Sequence, residues 1–143
     1  MKYAIALLVF FTFSCKSQKP DKGTDKRLTL LVQDGYFPIE NPETQIIRDS
    51  KSLKAFFSKV NQTRKPGLPI PEIDFKTHSV LVACMGVAKT DALPIMYVKN
   101  ETSEEITISV QVPNEIKATA VPSYPFCMYS MVDEGKRLAL EMK

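Results

Sequence analysis

The spacing of apolar residues changes abruptly along this chain, and each change marks an element. Residues 1–14, MKYAIALLVFFTFS, carry one charge, at Lys2, followed by a nearly unbroken apolar run from Tyr3 to Phe13. That run falls well short of the ~20 residues needed to cross the hydrocarbon of a bilayer. A basic start, a short apolar middle and a small residue at the end form the layout of a secretory signal. After Cys15 the pattern inverts. Residues 15–27 (CKSQKPDKGTDKR) hold no large apolar side chain, and Pro20 and Gly23 interrupt regular structure. Such a segment buries too little to offset its ordering entropy, which predicts a disordered tether.

From Leu28 onward apolar residues return with definite periods. Leu28 to Val32 reads as a strand broken at Asp34-Gly35, and Thr44 to Arg48 as a short strand after the turn chemistry of Asn41-Pro42. Asp49-Ser50 supplies helix N-cap chemistry, and Leu53, Phe56, Phe57 and Val60 follow at i, i+3, i+4 and i+7. This spacing predicts an amphipathic helix of about three turns that ends near Asn61. Pro66, Gly67, Pro69 and Pro71 then require a loop. Ser79 to Gly86 (SVLVACMG) is almost continuously apolar and fits a strand covered on both faces. Ile106, Ile108, Val110 and Val112 alternate with polar residues up to Pro113, a half-buried strand that Met96 to Asn100 can pair with. Phe126 to Val132 and Leu138 to Met142 flank Asp133-Glu134-Gly135, which reads as a hairpin with Gly135 left-handed. The expected fold is α+β: a mainly antiparallel sheet with one principal amphipathic helix, in a single domain over residues 28–143.

Composition narrows the functions this domain can have. Its 116 residues suffice for one core and not for two. The formal net charge of +3 falls to +2 without residues 1–14, and no basic cluster interleaves with aromatics, so there is no footprint for nucleic acid. The lone histidine, His78, stands at the start of an apolar strand. No Gly-x-Ser-x-Gly elbow accompanies it, so a structural or exposed role fits it better than that of a general base. Five scattered glycines form no phosphate loop, and one histidine excludes multi-histidine metal sites. The sequence therefore implies no catalytic residue, no metal site and no cofactor.

The remaining chemistry lies in thiols and loops. Cys84 and Cys127 each fall in a predicted strand. They form a disulfide if those strands lie close with facing Cβ atoms, or remain as two core thiols. With Met85, Met96, Met128 and Met131 nearby, the same sulfur atoms also admit a soft-metal (copper) or ligand carrier. Tyr36-Phe37-Pro38-Ile39 and Val121 to Phe126 place aromatics beside prolines, which restrict the chain and present side chains at low entropic cost. Tyr124, Pro125 and Phe126 are thus candidates for contact with a protein partner; the alternative is that Tyr124 and Phe126 cap the core. Asn41-Pro42-Glu43-Thr44 is similar to the Asn-Pro-x-Thr loop of chagasin-like cysteine-protease inhibitors, but Gln45 replaces the glycine expected next and the chain has no tryptophan.

Two resemblances join these readings. Residues 1–15 resemble a bacterial lipoprotein signal, with Ser14 preceding the cysteine that receives the lipid. The resemblance implies cleavage after residue 14, a lipid anchor at Cys15 and a place in the cell envelope, at the outer membrane. Residues 44–143 resemble the C-terminal domain of the PrcB family, named for an accessory lipoprotein subunit of a secreted protease complex. The resemblance is carried by Asp74-Phe75 ahead of the buried strand, Gly86 closing it, Thr90 opening a turn, and Ser123-x-Pro125-Phe126. Where that family shows a glycine pair and tyrosine after the threonine, this chain has Asp91, Ala92 and Leu93. The resemblance implies a noncatalytic accessory subunit that docks an envelope or secreted protein such as a protease.

Overall fold

The computed structural model describes residues 25–112 and 118–143. The signal, Cys15 and most of the tether lie outside them, as does Pro113. The strands are β1 (Leu28–Asp34), β2 (Glu43–Ile47), β3 (His78–Cys84), β4 (Ala88–Thr90), β5 (Ile95–Glu101), β6 (Glu105–Gln111), β7 (Ala118–Ser123), β8 (Phe126–Val132) and β9 (Arg137–Met142). One helix, α1 (Ser50–Val60), continues into a 3-10 turn, Asn61–Thr63. Among the described residues the protein is mostly antiparallel β with this single helical segment, an α+β fold.

The helix forms where its apolar spacing places it. The Asp49 carboxylate accepts the Ser52 amide at 2.7 Å, satisfying one of the amides that a helix start leaves unpaired. Leu53, Phe56, Phe57 and Val60 are buried against a four-stranded sheet of order β1-β8-β3-β2, all antiparallel. The other face of that sheet packs on a second sheet, of order β5-β6-β9. The central strands β3 and β8 thus lie between a helix layer and a sheet layer. For this reason β3 reads as a continuous apolar run instead of an alternating one. Along it, Val80, Val82 and Cys84 join Phe56, Phe57 and Phe126 on the helix side, while Leu81 and Ala83 join Ile106, Ile108 and Tyr129 on the sheet side.

Two features depart from the sequence reading. Strands β8 and β9 do not form a hairpin. Gly135 is left-handed as expected, at φ 72°, but β9 crosses to the second sheet and pairs in parallel with β6. The physical reason is that β8 is already flanked by β1 and β3, so neither of its edges is free for a further strand. The second departure is a small ribbon, β4 with β7, in short segments of mixed composition where no strand was expected.

The register gives the molecule two poles. The upper pole gathers the end of β1, the starts of β2 and β8, the end of β3 and the β4–β7 ribbon. The lower pole gathers the start of β1 and the turns joining β5 to β6 and β8 to β9. There Arg27 bonds Asp25, Glu101 and Glu134, while Lys136 bonds Glu101 at 2.5 Å.

Candidate functional site

The two proline-aromatic loops meet at the upper pole. Tyr36 and Tyr124 form a parallel bridge: the Phe37 amide donates to the Tyr124 carbonyl and the Tyr124 amide donates to the Gly35 carbonyl, each at 2.9 Å. Their rings stand edge to face, with centroids 5.8 Å apart and planes at 84°, the arrangement favoured by the aromatic quadrupole. Tyr36 is 44% exposed and Tyr124 half-buried. Beside them Val87 (50% exposed) adjoins the Ala88–Ser123 pair, and Val121 (73% exposed) projects from β7.

A guanidinium fixes this surface from beneath. Arg64, past the end of the helical segment, bonds both carboxylate oxygens of Asp34 (2.5 and 3.1 Å), donates to the Tyr36 carbonyl, and lies 5.9 Å from the centre of the Tyr36 ring. Asp34 Oδ1 also accepts the Tyr36 amide at 2.8 Å. Burial tends to raise the Asp34 pKa, but the bonds from Arg64 and the Tyr36 amide outweigh it and hold the carboxyl below its ordinary range. The loop carrying Tyr36 is therefore tied at its carbonyl, its amide and its ring.

Two small residues complete the frame. Gly86 has φ 68°, and a Cβ there would stand 2.6 Å from the Glu40 carbonyl oxygen and 2.9 Å from the Pro42 nitrogen. The Asn41-Pro42 backbone is thus seated directly on the strand end, and only glycine admits that approach. Ser123 Oγ lies 2.6 Å from the Thr90 carbonyl oxygen and donates to it, and Thr90 Oγ1 accepts the Ala92 amide at 2.9 Å. Thr90 and Ser123, far apart in sequence, therefore meet. The turn Thr90-Asp91-Ala92-Leu93 is built without any residue at positive φ, so it does not require the glycine pair.

The loop candidates separate according to burial. Tyr124 is at the surface, but Pro125 and Phe126 are buried, with Phe126 fully enclosed among Phe37 and Phe56 at centroid distances of 5.8 and 6.0 Å. Those two residues belong to the core and cannot touch a partner, which corrects their assignment to the contact. The residue that accompanies Tyr124 at the surface is Tyr36. Its sequence signal was the same proline-aromatic pattern, and its pairing with Tyr124 needed the three-dimensional register to be seen.

The thiols also separate. Ala83 pairs with Cys127 and Cys84 with Phe126 across adjacent strands, so Cys84 points to the helix side and Cys127 to the sheet side. Their Cβ atoms face opposite layers, the geometry that forbids a bridge, and both are free thiols. Burial pushes each up to about 12, so neither supplies thiolate near neutral pH. The sulfur set is divided in the same way: Met128 accompanies Cys84, whereas Met85, Met96 and Met131 accompany Cys127. The two cysteines cannot ligate one ion, and among the described residues no three of His, Cys, Asp and Glu converge as metal ligands.

His78 lies at the lower pole with its Nδ1 2.8 Å from Thr77 Oγ1. The neighbouring Ser79 hydroxyl is buried and donates instead to Asp133 at 3.2 Å. These are separate pairs, and Ser79 is closed to a substrate. Comparison with protein-family models finds no match, and searches of curated proteins and of solved structures likewise return none.

Proposed function

We propose that this chain is a noncatalytic binding module of the cell envelope, anchored by lipid at Cys15. In this reading it is an accessory subunit that docks an envelope or secreted protein, such as a protease, through the Tyr36–Tyr124 pole. One observation carries the reading: an exposed tyrosine, Tyr36, and its half-buried partner Tyr124 are held by a partly buried ion pair, backbone bonds and an enclosed glycine. Side chains already ordered in the free protein lose little entropy on contact, and tyrosine and arginine are enriched at the energetic centres of protein interfaces. The PrcB-like residues support the same reading, since Gly86, Thr90 and Ser123 are the ones that frame this pole.

Crosslinked affinity capture of the full-length lipoprotein from its own cells, followed by mass spectrometry, tests it. A recurrent secreted protease or one other envelope protein in comparable amount is the expected result. Tyr124→Ala should cut its recovery about tenfold while leaving the fold intact. Unchanged recovery would reject the loop as the contact, and recovery of the lipoprotein alone would reject the module.

A further inference from the structure

We infer that Asn61 is a positioning residue for the Tyr36–Tyr124 surface: its side-chain amide closes residues 61–68 into a loop with fixed ends, and that loop holds Arg64 beneath Tyr36. This rests on the docking reading above and specifies what keeps that surface ordered for contact.

Arg64 needs a support that its neighbours in sequence do not supply. It leaves the 3-10 turn in extended backbone. Of residues 62–67 it alone turns inward, while Gln62, Thr63, Lys65, Pro66 and Gly67 are all exposed. No apolar packing therefore fixes the stretch that carries it. Its own bonds leave a gap as well, because its Nε is enclosed and meets no acceptor among the described residues. A long side chain on an unpacked stretch loses both backbone and rotamer freedom when it is held in one pose, and something outside it must offset that loss.

Asn61 supplies the constraint. Its Oδ1 accepts the Leu68 amide at 2.7 Å and its Nδ2 donates to the Leu68 carbonyl at 2.9 Å, so both halves of one side-chain amide are matched to the backbone of one residue. Its main-chain carbonyl accepts the Arg64 amide at 3.2 Å. The closure is tight, for a Cβ on Gly67 would stand 2.8 Å from Asn61 Cγ. Both ends of the loop are anchored in turn. The Asn61 main-chain amide donates to the Phe57 carbonyl at the end of α1, and the Leu68 side chain packs on the core cluster that contains Phe57. From this frame Arg64 reaches the Asp34 carboxylate and the Tyr36 carbonyl. The line of support runs from the helix end through Asn61 and Arg64 to Tyr36, and Asn61 itself touches neither tyrosine.

Amide hydrogen exchange, read by NMR on the full-length lipoprotein in detergent micelles, tests this. The Tyr36 amide donates to Asp34 and the Phe37 amide to the Tyr124 carbonyl, so the two report directly on the surface. Asn61→Ala should speed their exchange about tenfold, as expected for the loss of two hydrogen bonds that restrain a local opening. Ile47→Val weakens the enclosed core away from Arg64 and should leave both amides unchanged, because their opening is local. In an Arg64→Met background Asn61→Ala should add nothing at Tyr36, since the coupling passes through the guanidinium. Gly67→Ala, whose methyl displaces the Asn61 side chain, should reproduce the acceleration in smaller measure and carries the test if Asn61→Ala does not fold by circular dichroism. Unchanged exchange in both Asn61→Ala and Gly67→Ala, equal acceleration in Ile47→Val, or full additivity with Arg64→Met overturns the inference. The measurement contains no partner, so its failure is distinct from failure of the capture experiment. Accelerated exchange at Tyr36 with no partner captured would leave the role of Asn61 standing and reject the docking reading alone.

Discussion

The upper and lower poles of this domain use similar parts. Each has an arginine held by carboxylates and a glycine at positive φ. At the lower pole Gly135 meets open space, and Arg27, its side chain 27% exposed, is shared among Asp25, Glu101 and Glu134. At the upper pole Gly86 is pressed against backbone, Arg64 is committed to a single carboxylate with its side chain only 18% exposed, and the surface above carries aromatics. The difference shows what each pole must resist. Solvated charges tolerate loose turns, whereas aromatic side chains on a backbone that is already fixed lose less entropy when they make a contact.

The sharpest contrast is between the glycines. Gly86→Ala should cost about 3 kcal/mol, combining a left-handed alanine with a backbone clash. Gly135→Ala should cost about 1 kcal/mol, for the conformation alone. Urea unfolding of both variants measures this directly, and equal losses would break the comparison. Next in size, Arg64→Met should cost about 2 kcal/mol, because Asp34 is left partly buried without its partner. Arg27→Met should cost less than half of that and lose most of its effect in 0.5 M salt, as expected for charges near the surface.

Acid extends the same comparison. A carboxyl held below its ordinary value contributes stability that is complete above its unfolded pKa, near ~4, and is lost as pH falls through the folded value. Asp34 has this sign, and so does Asp25 through its bonds to Arg27. Urea midpoints should therefore drop from pH 5 to pH 3, and Asp34→Asn should flatten part of that slope. The smallest signal comes from the thiols beneath the upper pole. With pKa near 12, the thiolate fraction at pH 8 is on the order of 10⁻⁴, so iodoacetamide should leave the Cys84 and Cys127 peptides unlabelled until the protein unfolds. Labelling of the folded protein would show that this pole opens.

Much of the architecture was legible from residue spacing because local periods report burial. The stripe Leu53-Phe56-Phe57-Val60 is the buried face of α1, Met96 to Asn100 does pair with Ile106 to Gln111, and the unbroken run after Ser79 is covered on both sides. What spacing does not encode is which sheet a strand joins. The turn at Gly135 has hairpin chemistry, yet the partners of β8 decide where β9 goes. The candidate site was half legible for a related reason. A proline beside an aromatic marks a rigid loop, but whether Phe126 faces solvent or core depends on strand phase, and the meeting of Tyr36 with Tyr124 and Arg64 depends on residues 28 to 88 positions apart.

The placement of Arg27 bears on mechanics. The chain enters β1 at the pole opposite Tyr124, so a pull on the N-terminal segment against a hold at Tyr124 runs lengthwise along β1 and β8. The hydrogen bonds of an antiparallel pair lie across that line. A tensile load in this direction shears the whole ladder at once instead of peeling it bond by bond, with the Arg27 ion pairs as the first links to bear it.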